Sequence, residues 1–524
     1  MRRTVALLIT AASLCLNPTS ALAQSDLRGM MSTAAAERIG LQRHWFTQVE
    51  MNSSRYRLMH LTQHVSSTEG YAIHEISFDT GKLTITERDL DLLGKPLGKE
   101  QAEKLAQEKL KKLELEEQHP KLTTTVVPQV SLFAVADGGF VHGIDAQTGR
   151  TLWATRLGDP LHPTDAAAAS DQWVAVVNGT TLFVLKASTG ELAWKRGVRG
   201  APGAGPGISD RYVIVPMLNG MVEAYRLDNY RLPPWTYRSH GRALVQPLYT
   251  GRNFAWPTDR GYMYLAEAND PAIRYRLETN GTIVAPAARL APTQLIAVST
   301  DGYVYCLHEQ SGNIIWRFST GESLIHAPFV VDDAVYVVTE QGTLYRLAGA
   351  SGLDQWSTTG VTKILAASKT RLYAVDQGAR LRVLDPQNGA TLGSASIESL
   401  DFLYTNDQTD RIFIGTRKGL IQCLHEPGNV WPMLHAGVGE AKKEEEEDAK
   451  PGAKKPTTPE APATAPEANP FGGDNPFGGG GAAGGAAGGA GADPFGGGAT
   501  PPAAGTDPFG ASDAGSSADP FGSP

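Results

Sequence analysis

Eight glycines divide most of this chain into units of about 40 residues. Gly139, Gly179, Gly220, Gly261, Gly302, Gly342, Gly378 and Gly419 follow one another at intervals of 40, 41, 41, 41, 40, 36 and 41 residues. The stretch LIAVSTDGYVYCLHEQSGNIIW, from Leu295 to Trp316, shows what is repeated. It reads as a strand over 295–299, a turn at Asp301-Gly302, a strand over 303–308, a turn at Ser311-Gly312, and a third strand ending on Trp316. The strands mix β-branched and aromatic residues, which suit extended backbone, and the turns carry glycine where a positive φ is cheap. A lone meander of this size cannot bury both faces, so it must stack on neighbours. Short strands at a period near 40 predict an all-β chain folded as a β-propeller with one blade per repeat. The glycine count gives eight blades, with seven as the alternative.

A second landmark is a glycine followed four residues later by tryptophan, at Gly149/Trp153, Gly190/Trp194, Gly312/Trp316 and Gly352/Trp356. Copies near Trp235, Tyr275 and Gly393 have drifted. A tryptophan at a fixed repeat position most simply docks between adjacent blades. The run GFVHGIDAQTGRTLW, residues 139–153, resembles the pyrroloquinoline-quinone-like (PQQ-like) repeat in its glycine, alternating apolar residues, Asp, Thr-Gly and Trp. The resemblance extends over residues 40–426. It implies the propeller fold, which serves both quinoprotein enzymes and non-catalytic scaffolds.

The segment GLQRHWFTQVEMNSSRYRLMHL, beginning at Gly40, is read as two strands from different repeats. Its first half resembles the third strand of a repeat, with Trp45 in the tryptophan position. Its second half, 55–61, reads as the strand that starts the next blade. The last repeat, 412–426, lacks its own tryptophan strand, so the N-terminal strand is expected to complete it. That pairing closes the ring and removes exposed edges. The propeller is assigned to 40–435, preceded by a helical segment over 24–39 with Met30, Met31, Ala34 and Ile39 as its apolar stripe. A small α/β insertion at 62–127 interrupts the first blade. It contains a hairpin turning at Asp79-Thr80-Gly81 and a helix from Lys99, with Leu105, Leu110 and Leu113 as the apolar side. This helix reads as a solvated element lying on the propeller, or as a docking arm.

Both ends differ in composition from the middle. Residues 1–23 read as a secretory signal peptide: Arg2 and Arg3, an apolar run from Val5 to Leu16, and Ala21-Leu22-Ala23 before Gln24. That run is too short to span a bilayer, and no other segment is long enough, so the chain is expected in the periplasm or cell envelope. Cys15 does not lie in a good lipidation site, because Leu14 precedes it. From 436 the chain becomes a charge run and then Pro/Ala and Gly/Ala sequence, a composition expected to be disordered. From Gly437 onward, 13 acidic residues stand against 5 lysines, which accounts for the whole formal net charge of −8. The remainder is near neutral and offers no electrostatic pull on nucleic acid. Within the tail, Asn/Asp-Pro-Phe-Gly recurs five times, at Phe471, Phe477, Phe495, Phe509 and Phe521. These are its only large apolar side chains, candidates for weak, multivalent partner contacts.

No catalytic site is assigned, and no cofactor or metal. A PQQ enzyme needs bound calcium, a catalytic Asp and usually a vicinal Cys-Cys pair; this sequence has no Cys-Cys. Cys306 and Cys423 hold equivalent positions three repeats apart, beyond the roughly 7 Å reach of a disulfide, and read as core residues. His142, His162, His240, His308, His326 and His425 are scattered, with no H-x-x-x-H or C-x-x-C spacing among them. Arg199-Gly-Ala-Pro-Gly-Ala-Gly-Pro-Gly lacks the Lys-Ser/Thr of a phosphate loop and reads as a turn. The sequence is therefore read as a non-catalytic envelope scaffold, a monomer or a subunit of a complex with other envelope proteins. It resembles the propeller subunits of outer-membrane β-barrel assembly machineries. The alternative is a ligand-binding or quinone-dependent propeller using its central funnel.

Overall fold

Each glycine of the 40-residue series lies in its own antiparallel sheet. The computed structural model contains eight such sheets, seven of four strands and one of five. It describes residues 29–436 and 438, apart from 92, 93, 117 and 291. The signal peptide and the repeated phenylalanines of the tail lie outside the described residues. Seven of the eight glycines adopt φ between 58° and 96°. The exception is Gly378, in the repeat whose spacing shrinks to 36; there the left-handed position falls on Ala379, at φ 51°.

The architecture is an all-β propeller. Middle strands such as Trp173–Asn178 and Thr181–Lys186 are buried along nearly their whole length, because both of their faces meet neighbouring sheets. Outermost strands are buried chiefly at the tryptophan position, as in Thr151–Arg156 and Ile314–Ser319. The hydrophobic clusters cross from one sheet to the next: Val184 and Trp194 share a core with Val213 and Val215. Each sheet therefore buries its apolar area against two neighbours, which lets a chain of this length form a ring without one oversized centre.

The ends of the ring meet in one sheet. Strand β1 (Gln42–Gln48) pairs antiparallel with Leu420–His425, placing Trp45 opposite Cys423. Trp316 stands opposite Cys306 in the same way, so each buried free cysteine backs a repeat tryptophan. The helical segment expected over 24–39 is, within the described residues, a single short helix, α1 (Thr33–Arg38), started by Ser32 accepting the Ala35 amide. The residue after it, Ile39, fills the space beside Gly393, which stands where other repeats carry tryptophan.

The insertion is not a separate unit beginning at residue 62. Strand β2 (Leu58–Phe78) runs unbroken from the first sheet into the arm. It pairs there with β3 (Gly81–Thr86) and along its length with β4 (Lys121–Ala136). A bulge between Val65 and Gly70 marks the junction. The sheet is completed by β5 (Phe140–Asp145) and β6 (Thr151–Arg156). Helix α2 (Gly98–Leu115) packs on β2 and β3 of the arm rather than on the propeller. It buries Ala102 and Ala106 against Ile85, while Leu105 lies at the edge of that cluster and Leu115 is exposed. Small alanines allow the close approach, so the expected leucine stripe flanks the contact.

Candidate interaction surface

The repeat tryptophans form one recurring joint. Trp45 Nε1 donates to the Ala146 carbonyl at 2.8 Å, Trp153 to Ala187 at 2.8 Å, Trp316 to Gly349 at 2.7 Å and Trp356 to Pro386 at 2.9 Å. Each acceptor lies three residues before a turn glycine of the next sheet. That glycine is the platform for the ring: a Cβ on Gly149, Gly190, Gly352 or Gly389 would stand 2.4–2.6 Å from Trp45, Trp153, Trp316 or Trp356 respectively. The Gly-x-x-x-Trp motif thus carries two halves of different contacts, each half facing a different neighbour. The Trp194 joint departs from this pattern, because the next sheet replaces the Thr-Gly turn with a longer segment. There Trp194 stacks on Tyr230 at 5.2 Å, and its buried Nε1 has no partner among the described residues.

These joints hold the ring; the candidate surface lies where the arm leaves it. Inner strands of successive sheets line a cavity of about 370 Å³, with Gln63, Val65, Ala168, Ile208, Leu248 and Gln408 among its walls. The short side chains of 167–169 and Gly207 open this space. At its rim, Asp171 accepts from Ser67 Oγ and Thr68 Oγ1, both at 2.8 Å, and from the Ser67 amide at 3.1 Å, with His64 Nε2 at 2.8 Å. Burial by itself pushes this carboxyl up, but the hydrogen bonds from His64, Thr68 and Ser67 outweigh it and hold Asp171 well below the usual carboxylate range. Ser67 and His64 both engage the carboxylate, so the three do not form a serine–histidine relay. They clamp the bulge of β2 to the neighbouring sheet.

Two further contacts fix the arm. Arg88 lies over the Tyr71 ring at 4.1 Å and reaches Asp145 at 3.0 Å. On the same face, Tyr71, Ile73 and Val127 pack on Trp431 of the C-terminal segment. That segment is tied down by buried Arg411, which donates to the Asn429 and Val430 carbonyls at 2.8 Å. Asp410 accepts from Asn429 and from the Met433 amide, each at 3.0 Å. The arm, the cavity mouth and the C-terminal segment therefore converge.

Of the histidines singled out in the sequence, His142 is buried in the first sheet, while His308 and His425 occupy matching strand ends. His60 and His64 stand four residues apart, but on a strand that spacing separates them by roughly 13 Å, too far for a shared metal. Among the described residues no cluster of His, Cys, Asp or Glu could hold a metal ion. Among the described residues that line the cavity, none is lysine or arginine. Asp171, His64 and Trp431 carried no sequence signal, because their roles depend on distant partners.

Comparison with known proteins identifies the family. The model described as outer membrane protein assembly factor BamB matches residues 137–270 and 251–414, more than half of the chain. The chain is 26% identical over 298 residues to the outer membrane protein assembly factor BamB of Yersinia pestis, covering 53% of this chain and 65% of that protein's length. It is 23% identical over 342 residues to that of Shewanella oneidensis, covering 58% and 84%. The crystal structure of BamB from Moraxella catarrhalis aligns at 17% identity and a TM-score of 0.48, covering 56% of this chain and 91% of that one. The matched stretch begins after the arm and ends before the tail, and on its strength the chain belongs to the family of the outer membrane protein assembly factor BamB.

Proposed function

We propose that this protein is a non-catalytic scaffold of the cell envelope that serves outer-membrane protein assembly, as the names of its relatives describe for them. The observation that carries this reading is the family match through the repeats, joined to a surface built for contacts. The propeller supplies a rigid ring, and the arm and C-terminal segment gather at one cavity mouth. The signal peptide read over 1–23 supports a location in the periplasm or cell envelope, with other envelope proteins as partners. The tail adds Phe471, Phe477, Phe495, Phe509 and Phe521 as five tethered binding elements. Each is weak alone, since one ring buries little area; together they raise effective concentration.

The test is capture from envelope extract of the native organism with the full chain as bait. Enrichment of outer-membrane assembly proteins supports the scaffold reading, and their absence from the captured set refutes it. Changing all five tail phenylalanines to alanine reports separately on the tail. Loss of a partner assigns binding to the motifs, and an unchanged set places the contact on the propeller or its arm. A mass spectrum of the protein from its own periplasm checks the alternative: a bound quinone would overturn the non-catalytic reading.

A further inference from the structure

The arm leaves one strand edge open. Along β4, Lys121–Pro128 pair with β2 on one side, while pairing with β5 begins only at Ser131. Helix α2 covers β2 and β3, leaving Thr123, Thr124, Thr125 and Val126 exposed, Val126 by 68%. An extended edge presents unpaired N–H and C=O groups at every second residue, and proteins usually guard it with charge or proline. Here Lys121 and Pro128 bracket an unguarded window, Leu-Thr-Thr-Thr-Val-Val over 122–127.

We propose that this edge pairs with the same edge of a second copy of the chain. The argument is that the window is complementary to itself. In a two-fold antiparallel pairing with Thr124 opposite Thr124, Leu122 meets Val126 twice on the α2 side of the sheet. Thr123 meets Thr125 twice on the other side. Moving the centre to 123 or 125 sets Leu122 opposite Thr124 or Pro128 and loses both apolar pairs. A half-step register turns the two sheets' faces opposite ways, so the α2 side of one copy would continue into the other side of its partner. The Thr124-centred register brings both Leu122–Val126 pairs together, with Lys121 against Val127 at its ends, and it extends three strands of the arm into a six-stranded sheet. The contact is smaller than the roughly 1,200–2,000 Å² of a stable interface, so the pairing is reversible and concentration-dependent.

The chain from Gln24 onward is the starting material, since its two cysteines, Cys306 and Cys423, are buried. Sedimentation over a concentration series should show a monomer–dimer equilibrium. Val126→Lys, at an exposed position, should weaken it by roughly tenfold while leaving the melting curve unchanged, because the two-fold counts each lost pair twice. Under mild oxidation, Thr124→Cys should form a covalent dimer. Thr123→Cys should not, but should cross-link when mixed with Thr125→Cys. A monomer at every concentration, or cross-linking indifferent to position, overturns the pairing. Cross-linking of Thr124→Cys to a different envelope protein in extract, in place of its own copy, overturns the choice of occupant.

Discussion

Replacing Gly352 by alanine tests whether the repeat glycine exists to seat the neighbouring tryptophan. Gly352 has φ 70°, and a Cβ there would lie 2.4 Å from Trp316 Cε3 and 2.5 Å from Cδ2. The ring cannot withdraw freely, because it is 8% exposed and its Nε1 is held at 2.7 Å by the Gly349 carbonyl of the same turn. Two costs add. A left-handed conformation at a residue with a Cβ costs about 1–2 kcal/mol, and forcing an extra methyl into a packed joint costs about 1–3 kcal/mol. Gly352→Ala should therefore destabilise by about 2–5 kcal/mol in urea unfolding followed by tryptophan fluorescence. In a Trp316→Leu background the steric part disappears, and the same change should cost only the backbone part, about 1–2 kcal/mol. Gly428→Ala, which meets nothing within 4 Å, serves as the control and should stay within about 0.5 kcal/mol of wild type. Equal losses for Gly352→Ala in both backgrounds would refute the seating argument and leave backbone conformation as the glycine's sole role.

Removal of residues 24–50 deletes β1 and the Trp45 joint together, so calorimetry should show loss of the cooperative transition for the whole ring. An unchanged midpoint would mean that the closing strand is dispensable. The Asp171 clamp predicts a pH signature. Its carboxyl is depressed in the folded state, so its stabilising contribution is complete above the unfolded value of about 3.9 and declines as pH falls toward the lower folded value. Asp171→Asn should therefore be less stable than wild type at neutral pH, with the gap narrowing below about pH 4. A gap independent of pH across the acid range would show that the carboxylate's charge is not what holds the arm's base.

The sequence by itself determined the parts of this protein that are local. A turn needing positive φ selects glycine whatever surrounds it, so the series from Gly139 to Gly419 marked one sheet after another. Alternation of β-branched and aromatic residues marked the strands between. The tryptophan strand missing after residue 426 and the surplus one around Trp45 were legible for the same reason, since each fragment matches a repeat that appears intact elsewhere. The hairpin at 79–81 and the helix read from Lys99 were local as well. What each element touches was not legible. Gly352 and Trp356 look like one motif along the chain, yet each belongs to a joint with a different neighbour. The leucines of α2 suggested the buried face, but the distance set by the arm's sheet selected Ala102 and Ala106. β2 reads as a blade strand followed by an insertion, because only pairing with β4, some fifty residues later, makes it continuous. Asp171, His64 and Ser67 form a clamp only after the ring brings residues about a hundred positions apart within hydrogen-bonding distance. Backbone conformation is decided within a few residues and is written in the sequence, whereas a contact depends on where closure of the ring places the partner, and tertiary structure decides that.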